Sequence, residues 1–280
     1  QPMVHKGGTT MKTVISKDGT PIAFDQPGQG PALILVAGAT ATRLAAASVA
    51  AALAPSFTVF AYDRRGRGDS GDTAPYAVER EIEDIEALIN TAGGSAFVLG
   101  HSSGAVLALE AARLLPTNIT KLAVYEPPFI IDDSRPPAPA DYVPHLIELV
   151  SSGRRGEAIE YFMRDAVGTP AEMMAQMRQS PMWPELEALA HTLAYDGAIM
   201  GDTMRGDPTP LRKWASVTVP TLVIDGTVFF GSEERHQFLR HGADALSAIL
   251  PDAQRCTLEG QDHGAADDIL VPALNAFFLG

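Results

Sequence analysis

A chain of 280 residues, 46% apolar and 20% charged, can bury a sizeable core and fits one α/β domain carrying an insertion. A formal net charge of −13 without any basic stripe argues against a nucleic-acid partner and, more weakly, against polyanionic substrates. The single cysteine, Cys256, excludes an internal disulfide, and no run approaches the roughly 20 apolar residues that span a bilayer, so no membrane partner is expected.

Residues 1–10 carry no apolar signal core and read as an irregular leader; the expected location is cytoplasmic, with Cys256 a buried thiol in a strand. Residues 13–24, with Asp18 and Gly19 at the turn, read as an antiparallel edge hairpin. The Gly28-Gln29-Gly30-Pro31 stretch is a turn, since it lacks a phosphate-loop lysine and the dinucleotide glycine spacing. Short apolar runs at 33–36, 57–62, 97–99, 122–125 and 221–224 have the continuous apolar character of strands covered on both faces. Helical stretches at 44–53, 78–88 and 105–115 fall between them. The alternation predicts an α/β fold, a mostly parallel central sheet flanked by crossover helices. It breaks at a Pro-rich stretch, Ser134-Arg135-Pro136-Pro137-Ala138-Pro139, after which helical segments at 142–151, 157–167, 170–178 and 185–195 run without a strand. Residues 134–212 therefore read as a helical cap inserted into a core formed by 11–133 and 213–280.

The chemistry concentrates at Gly100-His101-Ser102-Ser103-Gly104. A strand-like run enters this G-x-S-x-G and a helical run leaves it, the context of a nucleophile elbow that pushes a serine hydroxyl into a cleft. Glycines 100 and 104 let strand and helix pack closely around the turn. Ser102 is the candidate nucleophile, and Ser103 presents a backbone N–H at a helix start, where donors lack intrahelical partners. A serine needs a base, and His263 lies just past the last expected strand, in Gly260-Gln261-Asp262-His263. Carboxyl ends of parallel strands share one edge, so Ser102 and His263 are expected to meet there. His101 reads as a packing or pocket-access residue, and His236 and His241, five apart in a predicted helix, as solvated.

These residues, with Tyr62-Asp63-Arg64-Arg65-Gly66-Arg67-Gly68-Asp69-Ser70, resemble the α/β-hydrolase family from about Met11 to Gly280. The 63–70 loop itself is read as a structural turn after a strand. The resemblance implies a Ser–acid–His triad in that chain order. The family acid commonly follows the strand at 221–224, but Gly226-Thr227-Val228-Phe229-Phe230 holds no carboxylate. The family also permits the acid one strand earlier, where Glu126 stands; Asp225, at the strand end itself, is the second candidate. Ala37-Gly38-Ala39-Thr40 stands where many relatives have His-Gly, and an oxyanion hole there would use the backbone N–H groups of Ala39 and Ser103.

The methionine- and aromatic-rich cap is expected to form mostly its own core, with Met177 and Trp183 offered to the substrate pocket alongside Thr40, His101, Phe229 and Phe230. There is no His-Glu-x-x-His and no Cys-x-x-Cys, so neither a metal nor another cofactor is expected. The composite expectation is a cofactor-independent serine hydrolase acting on a small, hydrophobic, ester-like substrate. Two other readings stay open at this level: non-ester chemistry on the same fold, as in C–C hydrolases, lyases, haloperoxidases or cyclases, and a non-catalytic small-molecule binder. An epoxide hydrolase or dehalogenase is disfavoured, because those relatives usually place aspartate at the Ser102 position.

Overall fold

The computed structural model describes residues 10–280 and shows one eight-stranded sheet. The strands are β1 (Lys12–Ile15), β2 (Pro21–Asp25), β3 (Ala32–Val36), β4 (Thr58–Tyr62), β5 (Ala96–His101), β6 (Ile119–Tyr125), β7 (Thr221–Asp225) and β8 (Ala253–Thr257). Their spatial order is β1-β2-β4-β3-β5-β6-β7-β8. The first two strands form the expected edge hairpin, antiparallel to each other and to β4. From β4 through β8 every pairing is parallel, as the continuously apolar strands predict. The expected leader lies, apart from its last residue, outside the described residues.

Side chains alternate across the strands, and each face has its own core. On one face Leu33, Leu35, Leu99 and Tyr125 join Leu53, Leu274 and Phe278, so that α1 (Ala47–Leu53) and α10 (Asp267–Leu279) cover this side. On the other, Ile34, Val36, Val98 and Val124 join residues of α2 (Val78–Thr91), α3 (Ser103–Leu114) and α9 (Glu233–Ile249). Cys256 lies in β8 but is only partly buried.

Between β6 and β7 the chain is helical throughout its regular parts: α4 (Tyr142–Ser151), α5 (Arg155–Tyr161), α6 (Ala171–Arg178), α7 (Trp183–Ala188) and α8 (Leu193–Met200), followed by a 3₁₀ stretch at Thr209–Ser216. The helix expected over 157–167 is divided, because α5 opens into a π-turn at Phe162–Val167 that Gly168 ends with φ 75°. The wider turn sets Phe162, Ala166 and Val167 on a cavity wall. Among the described residues no helix is long and apolar enough to cross a membrane.

The β5–α3 turn sits at the centre of the sheet, against the end of β3. A methyl group at Gly104 would lie 2.3 Å from the Val36 carbonyl oxygen and 2.5 Å from that of Ala37, so the first turn of α3 can lie this close to β3 only with a glycine at 104. Gly264, by contrast, has open space where a methyl would project. Gly104→Ala is therefore expected to destabilise the fold by roughly 1–3 kcal/mol. Gly264→Ala should unfold in urea near the wild-type midpoint; equal midpoints for both variants would contradict this packing.

Candidate active site

The parallel strands end on one edge, and the Ser102, Glu126 and His263 side chains are delivered there from the ends of β5, β6 and β8. Ser102 follows β5 and caps α3 with φ 57° and ψ −127°, a left-handed conformation that is strained for a non-glycine residue. Two backbone bonds hold the strained turn: the Ser102 N–H donates to the Tyr125 carbonyl at 3.0 Å, and the Ala105 N–H donates to the Ser102 carbonyl at 2.9 Å. Glu126 follows β6, also at positive φ (47°), with its N–H donated to Ile224 O at 3.0 Å.

Glu126 is fully buried and its carboxylate accepts three hydrogen bonds. Oε2 takes one from His263 Nδ1 at 2.7 Å; Oε1 takes one from His236 Nε2 at 2.7 Å and another from the Gly226 N–H at 2.8 Å. Burial pushes this carboxyl up, but the bonds to His236 and His263 outweigh it and bring the pKa down to about 2. The carboxylate is thus ionised at neutral pH and fixes the His263 ring through Nδ1, leaving Nε2 as the ring nitrogen free to take a proton.

His263 sits on a tied loop. Its carbonyl accepts from His101 Nε2 at 2.6 Å, its N–H donates to Asp262 Oδ1 at 2.7 Å, and the Tyr125 hydroxyl donates to Asp262 O at 2.6 Å. Burial, and then the neighbouring His263, push His101 down to about 4, so His101 is neutral and donates from Nε2.

Ser102 and His263 share the wall of one cavity. Ala39, Ser103 and Phe229 line it too, and Phe162, Met200 and Met204 supply the apolar wall from the helical segment. Neither the Ala39 nor the Ser103 N–H has a backbone acceptor among the described residues.

Several expected site residues stand elsewhere. Asp225 is buried at the end of β7 but turned toward β8, where Oδ1 accepts from Thr257 Oγ1 at 2.7 Å and Arg255 Nη1 at 3.0 Å; it makes no bond to His263. Thr40 adopts φ 58° and spends its hydroxyl on the Ala39 carbonyl at 2.7 Å, so it lies off the cavity wall. Phe230 packs on Phe229, with centroids 4.5 Å apart, and only Phe229 reaches the cavity. His101 lies beside a separate pocket, lined by Leu35, Val49 and Leu270, and acts through the His263 loop rather than on the cavity. Met177 and Trp183 lie on α6 and α7, at the outer part of the helical segment; Trp183 lines an outer groove with Arg154 and Glu160. The cavity is reached instead by α8 and the π-turn.

His236 corrects the expectation of a solvated histidine, since it is wholly buried against Glu126. A signal for this exists in the sequence: His236, Leu239, Ala243 and Leu246 fall on one face of α9, and all four are buried. His241, off that face, bonds Asp132 Oδ2 at 2.6 Å.

Sequence reasoning also missed a buried ion-pair network beneath the elbow. Asp196 of α8 accepts from Arg64 at 2.8 Å, Arg67 at 2.6 Å and Ser103 Oγ at 2.7 Å, while Arg64 also pairs with Glu81 at 2.8 Å. Arg67 donates to the Gly38 carbonyl at 2.6 Å and Arg64 to that of Ala37 at 3.1 Å. Burial pushes the Asp196 carboxyl up, but the two arginines prevail and hold it below its ordinary value.

Comparison with known proteins agrees with this architecture. The model of the alpha/beta hydrolase family matches residues 33–271. The structure is similar to that of an alpha/beta hydrolase from Sphaerobacter thermophilus, with TM-score 0.86 and 54% identity over 95% of this chain and 100% of the other. The sequence is 30% identical over 265 residues to a pimeloyl-[acyl-carrier protein] methyl ester esterase of Xanthomonas axonopodis pv. citri, covering 88% of this chain and 94% of that protein. It is 36% identical to an N-formylmaleamate deformylase of Pseudomonas putida over 104 residues, 36% of this chain and only 39% of that protein's length. An eight-stranded sheet of this order, a serine at a strained strand-to-helix turn and a family match across most of the chain place this protein in the alpha/beta hydrolase family.

Proposed function

We propose that this protein is a cofactor-independent serine hydrolase that cleaves small, ester-like acyl substrates through Ser102, His263 and Glu126. One observation carries the reading: the buried Glu126 carboxylate holds His263 Nδ1 at 2.7 Å, on a histidine that shares its cavity with a serine at an elbow. Ser102 Oγ attacks the substrate carbonyl while His263 Nε2 takes its proton. Glu126 stays ionised and stabilises the imidazolium. The negative charge developing on the carbonyl oxygen is met by the Ala39 and Ser103 N–H groups, which lie on the cavity wall beside Ser102. Collapse expels the leaving group, protonated by His263, and leaves an acyl-serine. Water, deprotonated by the same histidine, then attacks the acyl carbon and frees Ser102 and the acid product. The apolar wall of Phe162, Met200, Met204 and Phe229 suits a hydrophobic acyl or alcohol part. The esterase and deformylase relatives support reaction at an acyl carbon.

His236 is assigned a positioning role. Its Nε2–H occupies one carboxylate oxygen, so that Glu126 presents the other to His263.

A fluorophosphonate probe should label the wild-type protein and fail to label Ser102→Ala, which should also lose at least about 10³-fold in kcat on 4-nitrophenyl butyrate. Folded wild-type protein that does not label would sink the mechanism. Glu126→Gln should lower kcat by roughly 10²–10⁴-fold, since the imidazole loses its tautomer and its counter-charge.

His236→Phe should lower kcat about tenfold with little change in KM and move the acidic limb of the kcat/KM profile to higher pH, because the carboxylate charge is then shared with one partner fewer. His236→Gln, which restores a donor, should recover most of both effects. A pH profile that does not move in His236→Phe would reduce His236 to a packing residue.

Because the folded pKa of Glu126 lies below the ordinary carboxylate value, its contribution to stability is fully present above about pH 5 and is lost as pH falls toward 2. The contribution is on the order of 3 kcal/mol. Urea unfolding of wild type should show this loss between pH 5 and 2, and in Glu126→Gln the loss should be smaller by about that amount, the remainder belonging to Asp196 and the other paired carboxylates.

A further inference from the structure

The Pro-rich stretch that opens the helical segment carries a cation with no counter-charge. Arg64, Arg65 and Arg67, all buried, are each paired with a carboxylate. Arg135 is half-buried, and among the described residues no carboxylate pairs with it. Its guanidinium lies over the Phe238 ring, 4.6 Å from the centroid, and Nη1 donates to the Val167 carbonyl at 3.1 Å. One peptide oxygen and one aromatic face leave the remaining donors of a five-donor group without a charged acceptor. Guanidinium does not deprotonate near neutral pH, so the cost of burying it is not relieved by losing the charge.

Arg135 also stands at a junction. It lines the cavity that holds Ser102 and His263, and it also lines an outer groove. Val167, Phe229 and Phe238 are common to both, so Arg135 stands on the wall that the cavity and the groove share. None of the other charges pairs with it. Asp196, on the cavity wall, is held by Arg64 and Arg67, and Asp165, in the groove, holds Arg164 at 2.6 Å. Glu234, which lines the groove with Arg235, makes no ion pair with Arg135.

We propose that Arg135 receives a carboxylate carried by the substrate at the end remote from the scissile carbonyl, so that the preferred substrates are monoesters, or similar monoacyl derivatives, of short dicarboxylic acids. The inference rests on the hydrolase reading above and adds the substrate class to it. The guanidinium fork matches a planar carboxylate, and its partly desolvated setting strengthens the bond relative to one in water. The apolar wall between Arg135 and Ser102 accepts the methylene chain that joins the two ends of such a molecule. The remote carboxylate binds without reacting, and cleavage follows the acyl-serine route already described. A single carboxylate is compatible with the net acidity of the chain, which opposes only highly charged anions.

The test compares two esters of the same length: mono-4-nitrophenyl glutarate and 4-nitrophenyl 5-methylhexanoate, in which an isopropyl group replaces the carboxylate. In wild type the glutarate ester should be favoured about tenfold or more in kcat/KM, and the advantage should shrink as salt is raised. In Arg135→Leu the ratio between the two esters should collapse. Arg135→Gln keeps a donor for the Val167 carbonyl but not the charge, and its ratio should collapse as well. Each ratio is taken within one variant, so a partial loss of folded protein cancels from it. A wild-type ratio near one, or a ratio that survives both substitutions, would overturn the proposal. If neither ester is cleaved, the hydrolase reading fails, and calorimetric titration with glutarate decides the inference by itself. Binding seen in wild type and lost in Arg135→Gln sustains it; binding that is absent or equal in both overturns it.

Discussion

Three elements far apart in sequence converge on the Glu126 carboxylate. It accepts from the end of β7 through Gly226, from α9 through His236 and from the loop after β8 through His263. A buried carboxylate without such donors would either take up a proton or cost several kcal/mol. With them, it is the electrostatic reason that α9 and the His263 loop sit where they do. The proposed base is therefore oriented by the same interaction that closes the β6–β7–β8 edge of the sheet. Function and fold share one anion here, and the left-handed backbone of Glu126 is the local strain that aims it.

A second buried anion does comparable work for the helical segment. Asp196 belongs to α8, yet its partners are Arg64 and Arg67 from the turn after β4 and Ser103 from the elbow. The same two arginines hold the carbonyls of Ala37 and Gly38. The Gly38 carbonyl and the Ala39 N–H belong to one trans peptide and point opposite ways, so holding that carbonyl in the network turns the Ala39 N–H away from it. The arginine-rich turn thus couples three things: the position of α8, the start of α3 and the direction of the peptides proposed to meet the oxyanion. Its ion pairs are fully removed from solvent, where breaking one partner leaves an uncompensated charge.

The strand–helix alternation is legible in the sequence because parallel strands buried on both faces leave continuous apolar runs, and the elbow because its glycines are demanded by contact distances. Those local signals put Ser102 and His263 at one edge, whereas Glu126 is reached only through the resemblance to the family, with Asp225 beside it as second candidate. What composition and spacing do not expose are the partners of buried charge. Asp196 lies 93 residues from Ser103 and His236 lies 110 from Glu126, and nothing local marks either pairing. Comparing His236 with His241 alone hides its burial, whereas the apolar positions Leu239, Ala243 and Leu246 define the buried face it belongs to. The pocket residues expected from the helical segment fail for a related reason. Methionine and tryptophan mark apolar surface without saying what it packs against: Met177 and Trp183 pack on the buried core without reaching the cavity, whereas Met200 of α8 lines it.

The place of the acid has a consequence for the shape of the cavity. At the end of β7 the chain meets the loop that carries His263 so closely that a methyl on Gly226 would lie 2.1 Å from the Gln261 carbonyl oxygen. Residue 226 serves this edge through its backbone N–H, and Asp225, one residue earlier, is committed to Thr257 and Arg255. With the proposed acid supplied from β6, the residues after β7 carry no carboxylate for His263 and form a wall instead. Phe229 takes that role: its ring stands edge-on to His263, 5.5 Å between centroids, and it borders both the cavity and the groove at Arg135. The Asp262 carboxylate holds this wall in place by accepting from the Phe230 and Gly231 N–H groups at 3.3 and 3.0 Å, one residue before His263 itself. In the proposed triad, an acid one strand earlier leaves the loop after β7 to shape the cavity through Phe229, while His263 keeps its hydrogen bond to an anion.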